Sequence, residues 1–187
     1  MRRFALPLAV MAAVALSACS GGGSVLSFNN SNNADRVIVT TLGSTNVARV
    51  IPGSPIDLSA VAVRGSTNGT LSNNTFKWSA ALVSSGTYPT NSSGVTKACN
   101  AVTVTSQGTT GPLVTDFSQY ITVDPTNSAN IVFTPPAIIP VPAAILAVSP
   151  AATVTPTYPY CVVVSATGSG ATGSITVAVV NPAAPLN

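Results

Sequence analysis

Past its N-terminal segment, this chain interrupts every apolar run with Gly, Pro or Asn before a helical repeat can establish itself. There are 14 glycines and 15 prolines. Gly costs a helix backbone entropy; Pro removes a donor and clashes with the preceding turn. Between the breaks lie Val, Ile and Thr, whose branched side chains suit a pleated, half-buried surface. In 56–63, Ile56, Leu58, Ala60 and Ala62 share one face, Asp57 and Ser59 the other. In 76–82, Phe76 and Trp78 point one way, Lys77 and Ser79 the other. In 174–180, Ile175, Val177 and Val179 share a face. Further runs fall at 36–42, 101–105, 120–123, 130–134 and 160–167. The pattern predicts an all-β chain, a β-sandwich of about seven to nine strands, each burying one face against the opposite sheet.

Hydrophobic residues make up 46% of the chain and charged residues only 6%. A core can therefore form, and Ser, Thr and Asn supply the polarity. Disordered chains combine the opposite properties, low hydrophobicity and high charge. There is no histidine, and all four acidic residues are aspartates. The commonest general base near neutral pH and the commonest metal ligand are thus missing. A serine nucleophile has no imidazole to activate it, and neither Lys77 nor Lys97 stands in a Ser-x-x-Lys motif. Asp116 and Asp124 lie in a turn-rich region, where Asp124-Pro125 reads as a turn starter. No enzymatic activity, cofactor or metal is expected. Arg36, Arg49, Arg64, Lys77 and Lys97 are scattered among Asp35, Asp57, Asp116 and Asp124. Scattered cations make no stripe for phosphates, so nucleic acid is not an expected partner.

The N-terminus has its own grammar. Arg2 and Arg3 form a basic start, and an apolar run follows to Leu16, broken only by Pro7. That run is short for a membrane span and suits a secretory signal. It ends Leu16-Ser17-Ala18-Cys19, which resembles the bacterial lipobox. The small residues admit extended backbone to a peptidase site, and the cysteine thiol carries the lipid. The resemblance implies a signal peptide over 1–18, lipidation of Cys19, and attachment to a membrane of a bacterial cell envelope. Ser20, in place of Asp, resembles lipoproteins directed to the outer membrane. Gly21-Gly22-Gly23-Ser24 and the Asn-rich 29–33 make 19–35 a flexible tether ahead of a domain at 36–187.

Several pieces of that domain resemble the immunoglobulin-like domains of bacterial exported proteins. They are Pro55-Ile56-Asp57-Leu58-Ser59-Ala60, Asn68-Gly69-Thr70, Phe76-Lys77-Trp78-Ser79, Phe133-Thr134-Pro135-Pro136, Val162 to Thr167, and Ser174-Ile175-Thr176-Val177. The resemblance implies an Ig-like sandwich acting in structure, adhesion or assembly; the family shares no catalytic site. Stretches 88–123 and 137–158 are longer than the family's links. Trp78 precedes both domain cysteines, unlike the antibody pattern.

With Cys19 assigned to lipid, Cys99 and Cys161 remain. An exported compartment permits a disulfide, and pairing them would close a loop of roughly sixty residues, contributing about 4 kcal/mol in the loop-entropy model. Two buried free thiols are the alternative. A second functional reading is a carbohydrate-binding module; sugar sites usually combine exposed aromatic platforms with polar groups. Tyr158 and Tyr160 are its foremost candidates, with Tyr88 and Tyr120 behind them. An envelope protein or polysaccharide is the expected partner class. The uncharged, Pro-rich stretch 135–159 reads either as a cap over one end of the sandwich or as an apolar partner surface.

Overall fold

The computed structural model describes residues 34–42, 48–65, 69–71, 74–90 and 94–184. Cys19, the signal segment and nearly all of the tether fall outside them. In chain order the strands are β1 (Arg36–Thr41), β2 (Arg49–Val50), β3 (Ile56–Arg64), β4 (Gly69–Thr70), β5 (Lys77–Val83), β6 (Thr87–Pro89), β7 (Thr96–Ala98) and β8 (Thr103–Ser106). They continue as β9 (Thr109–Pro112), β10 (Thr115–Asp116), β11 (Ile121–Val123), β12 (Asn130–Phe133), β13 (Thr153–Thr155), β14 (Tyr160–Gly168) and β15 (Ala171–Val179). A 3-10 turn covers Ser118–Tyr120, and one short helix, α1, spans Ala143–Val148. No helix among the described residues is long and apolar enough to cross a membrane.

Two five-stranded sheets form a β-sandwich. One runs β1-β3-β12-β11 with β4 also on β3; the other runs β10-β5-β14-β15-β2. Pairing is antiparallel except between β15 and β2. The expected alternation holds: in β3, Leu58, Ala60 and Ala62 are buried while Asp57 and Val61 are exposed. Leu58, Ile131 and Phe133 from the first sheet meet Leu82, Val162, Val164, Val177 and Val179 from the second in one cluster. Each such side chain is worth about 1.5–3 kcal/mol relative to exposure. Trp78 is half-buried and packs against both this cluster and a second one, around Val37, Ala62 and Phe76.

The sheets close together along β1 and β15. A Cβ on Gly173 would fall 2.0 Å from the Val37 carbonyl oxygen, so this position admits glycine alone. The β14–β15 hairpin turns through Ser169 (φ +49°) and Gly170 (φ +81°), and β8–β9 through Gln107 (φ +52°) and Gly108 (φ +76°). Two consecutive positive φ values give the primed turn whose twist matches that of paired strands.

The fifteen strands among the described residues exceed the expected seven to nine. The surplus is short pieces, mostly from the insertion after β5. The run expected at 101–105 appears as β8, outside the two large sheets. It pairs with β9 on one side and β13 on the other. Because β13 comes from the Pro-rich stretch, the two long insertions are hydrogen-bonded to each other. Helix α1 was not expected. It is six residues long, with no side-chain cap at its start and no buried residue. The Pro-rich stretch packs over the core through Pro135 and Ile139, with Ile145 against it, yet Ile138 stays 85% exposed.

Candidate functional site

The tyrosines do not form a platform. Tyr160 opens β14 and is only 1% exposed, packed within the main core. Its assignment to a binding surface is therefore corrected: a sugar cannot stack on a ring the sandwich encloses. Burial in β14, followed by the nearby Tyr158 and Tyr120, pushes its phenol well above the ordinary value of 10.0. The Tyr160 hydroxyl has no hydrogen-bond partner. Tyr158 is half-buried, its ring 5.6 Å from that of Tyr160. Its carbonyl accepts from Asn100 Nδ2 at 2.8 Å, which ties the Pro-rich stretch to the insertion. Tyr120 lies edge-on to Phe117 at 5.2 Å, and Tyr88 is buried with the Arg49 guanidinium 6.0 Å from its ring centroid.

Cys99 and Cys161 are joined, Sγ to Sγ 1.99 Å. Cys161 faces outward from β14, opposite to the inward Val162 and Val164. With Ala178 and Tyr88 it forms a small buried cluster. The bridge thus fastens the β6–β7 hairpin across the outer surface of the second sheet.

Asp116 and Asp124 serve turns. Asp116 Oδ1 accepts from the Ser118 N–H at 2.8 Å. Asp124 Oδ1 accepts from the Thr126 N–H at 2.8 Å and hydroxyl at 2.7 Å. Each carboxyl is held below its ordinary 3.8 by the side-chain bond first and the backbone bond second. Among the described residues no three His, Cys, Asp or Glu converge as a metal site.

A recess does exist, on residues the sequence did not single out for binding. Along one edge, β3 is paired by β12 as far as Ser59 and by β4 from Val63. Between them the Ala60 N–H donates to the Ala129 carbonyl at 2.8 Å, and the Ala62 carbonyl accepts from the Leu71 N–H at 2.9 Å. In an antiparallel strand both backbone groups of one residue face the same edge. The Ala60 carbonyl and Ala62 N–H therefore face this gap too. The Ala129 N–H is turned aside to the Asn127 side-chain oxygen, 3.1 Å. What remains is an open cleft of ≈ 470 Å³, with 60–62 as its floor. Asn74, Thr75, Thr126, Asn127 and Ser128 supply polar side chains to its walls.

The walls are braced. Trp78 Nε1 donates to the Ser128 carbonyl at 2.8 Å, and the Phe76 N–H donates to Ser128 Oγ at 3.2 Å. On the other wall Asn74 Nδ2 donates to the Leu71 carbonyl at 2.7 Å, while Asn74 Oδ1 accepts from the Ser169 hydroxyl. Of the sequence signals, only the Asp124-Pro125 turn pointed toward this region. No protein-family model, no curated protein and no solved structure matches this chain.

Proposed function

We propose that the chain is a lipid-anchored, non-enzymatic module of a bacterial cell envelope. In this reading an Ig-like sandwich is held off the outer membrane by the tether after Cys19 and acts in structure, adhesion or assembly. The observation that carries it is Leu16-Ser17-Ala18-Cys19 behind a basic start and an apolar run. Lipid chains contribute ~0.8 kcal/mol per buried methylene, so several on one cysteine hold a protein durably. The Cys99–Cys161 bridge supports export, since disulfides persist in oxidising compartments. The strand orders support the Ig-like reading. Naming the strands A to G as β1, β3, β5, β11, β12, β14 and β15 gives the orders A-B-E-D and C-F-G within the two sheets, the immunoglobulin constant-type arrangement with β4, β10 and β2 added.

Crosslinking in intact cells tests the role. A tagged chain with Cys19 intact should capture a discrete envelope protein, and Cys19→Ser should lose it. Equal capture by both forms would contradict a role that depends on anchoring. Glycan binding stands as a second reading because of the uncharged cleft beside β3.

A further inference from the structure

The cleft between β12 and β4 has the chemistry of a saccharide site. We propose that it binds the neutral, hydroxyl-rich end of a polysaccharide. Its polar wall side chains are carboxamides and hydroxyls, and none carries charge. An anionic ligand would find no cation on those walls, and a cationic one no carboxylate. The mix of donors and acceptors is what sugar hydroxyls, themselves both, require. Asn127 spends its side-chain oxygen on the Ala129 N–H, which leaves the two Nδ2 hydrogens toward solvent. The Thr126 hydroxyl donates to Asp124, which leaves its lone pairs to accept. The Ala60 carbonyl on the floor adds a fixed acceptor.

Two rival occupants fit less well. A peptide adding to the β3 edge needs a run of unpaired backbone, and this gap spans a single step between existing partners. An apolar ligand needs a continuous apolar lining, but the Phe76 ring is spent on the core, 7% exposed, which leaves only Val61 and Leu71 as larger apolar side chains among polar ones. The cleft volume of ≈ 470 Å³ lies within the roughly 300–1,000 Å³ of small-ligand sites. Preorganisation comes from Trp78, whose indole holds the 126–129 wall through Ser128. Fixed walls reduce the ordering cost of binding. Without an exposed ring to stack on, a single site binds weakly, and a polymer gains from many copies on one anchored surface.

Solution NMR on the full isotope-labelled chain in detergent micelles provides the test. The probes are gluco-, manno- and N-acetylglucosamine tetramers, a galacturonic acid tetramer and tetra-alanine. At least one neutral tetramer should give saturable shifts at the Ala60, Ala62 and Ser128 amides and the Asn127 side-chain amide. Asn127→Asp keeps the oxygen that caps Ala129 and deletes the Nδ2 donors, so it should weaken binding about tenfold with the other resonances unmoved. Trp78→Phe should weaken binding and move the Ser128 amide even without sugar; Lys97→Ala should change neither. Shifts centred elsewhere, no shift with any neutral tetramer, or stronger shifts from the acidic tetramer or the peptide would overturn the proposal. None of these outcomes depends on Cys19, so failure here leaves the anchoring proposal standing.

Discussion

The sandwich centre and the two long insertions are held together by different means. At the centre, Leu58, Phe133, Leu82 and Val164 are sealed between sheets, and apolar burial does most of the holding. The insertions contribute short strands, and only isolated side chains such as Val102, Leu113, Phe117 and Ile139 reach from them into the same cluster. Beyond those anchors they are held by a covalent bridge to β14, by the β8–β13 pairing, and by Asn100 on the Tyr158 carbonyl. A low-charge chain with many Pro and Gly breaks thus builds one core by pattern and attaches the remainder by specific ties. The difference predicts that damage at the centre unfolds the domain, whereas damage to the ties loosens the insertions first.

The largest expected effect is at the centre. Phe133→Ala should cost about 3–5 kcal/mol in denaturant unfolding, since it opens a cavity between sheets. A loss below 1 kcal/mol would mean that β12 contributes little to the core. Replacing Cys99 and Cys161 together by Ala should cost about 2–4 kcal/mol. Limited proteolysis should then cut first within the β6–β7 hairpin, ahead of β5 or β14. Uniform cutting across the domain would dissolve the distinction between the two regions.

Tyr160 sharpens the comparison where the Pro-rich stretch meets the core. Its hydroxyl is buried without a partner, so Tyr160→Phe should stabilise by about 1 kcal/mol. The phenol is raised above 10.0 in the fold, so the unfolded chain ionises first. Its contribution is complete below pH 10.0 and declines as pH rises further. Tyr160→Phe should flatten that alkaline limb; an unchanged limb would assign it to another group. The smallest effect is acid. Asp124 is lowered from 3.8, so its contribution is present above that pH and lost as pH falls below it. Asp124→Asn should slightly reduce stability at neutral pH and shrink the acid limb, as read from unfolding midpoints against pH.

The same division explains what could be read from the sequence. The faces of β3, β5 and β15 are local, written in residues two apart, and the structure keeps them. The β8–β13 pairing joins Thr103 to Thr155, 52 positions apart in the chain, and no local pattern announces it. Helix α1 is too short to show a period. Tyr160 is aromatic and follows Pro159, which resembles a loop residue, but it opens a central strand and turns inward. The cleft is harder still. It arises where β12 stops and β4 begins along β3, and its walls are Asn, Thr and Ser residues that resemble ordinary turns. Trp78 was legible as a core residue; its bond to Ser128 was not.

The proposed envelope role rests on the N-terminal cysteine. Intact-mass and peptide mass spectrometry of the protein extracted from membranes of its native cells tests it most directly. Lipid anchoring requires a mature chain that begins at Cys19 and carries covalent lipid on that residue. A chain that begins elsewhere, or one with an unmodified Cys19, would contradict it.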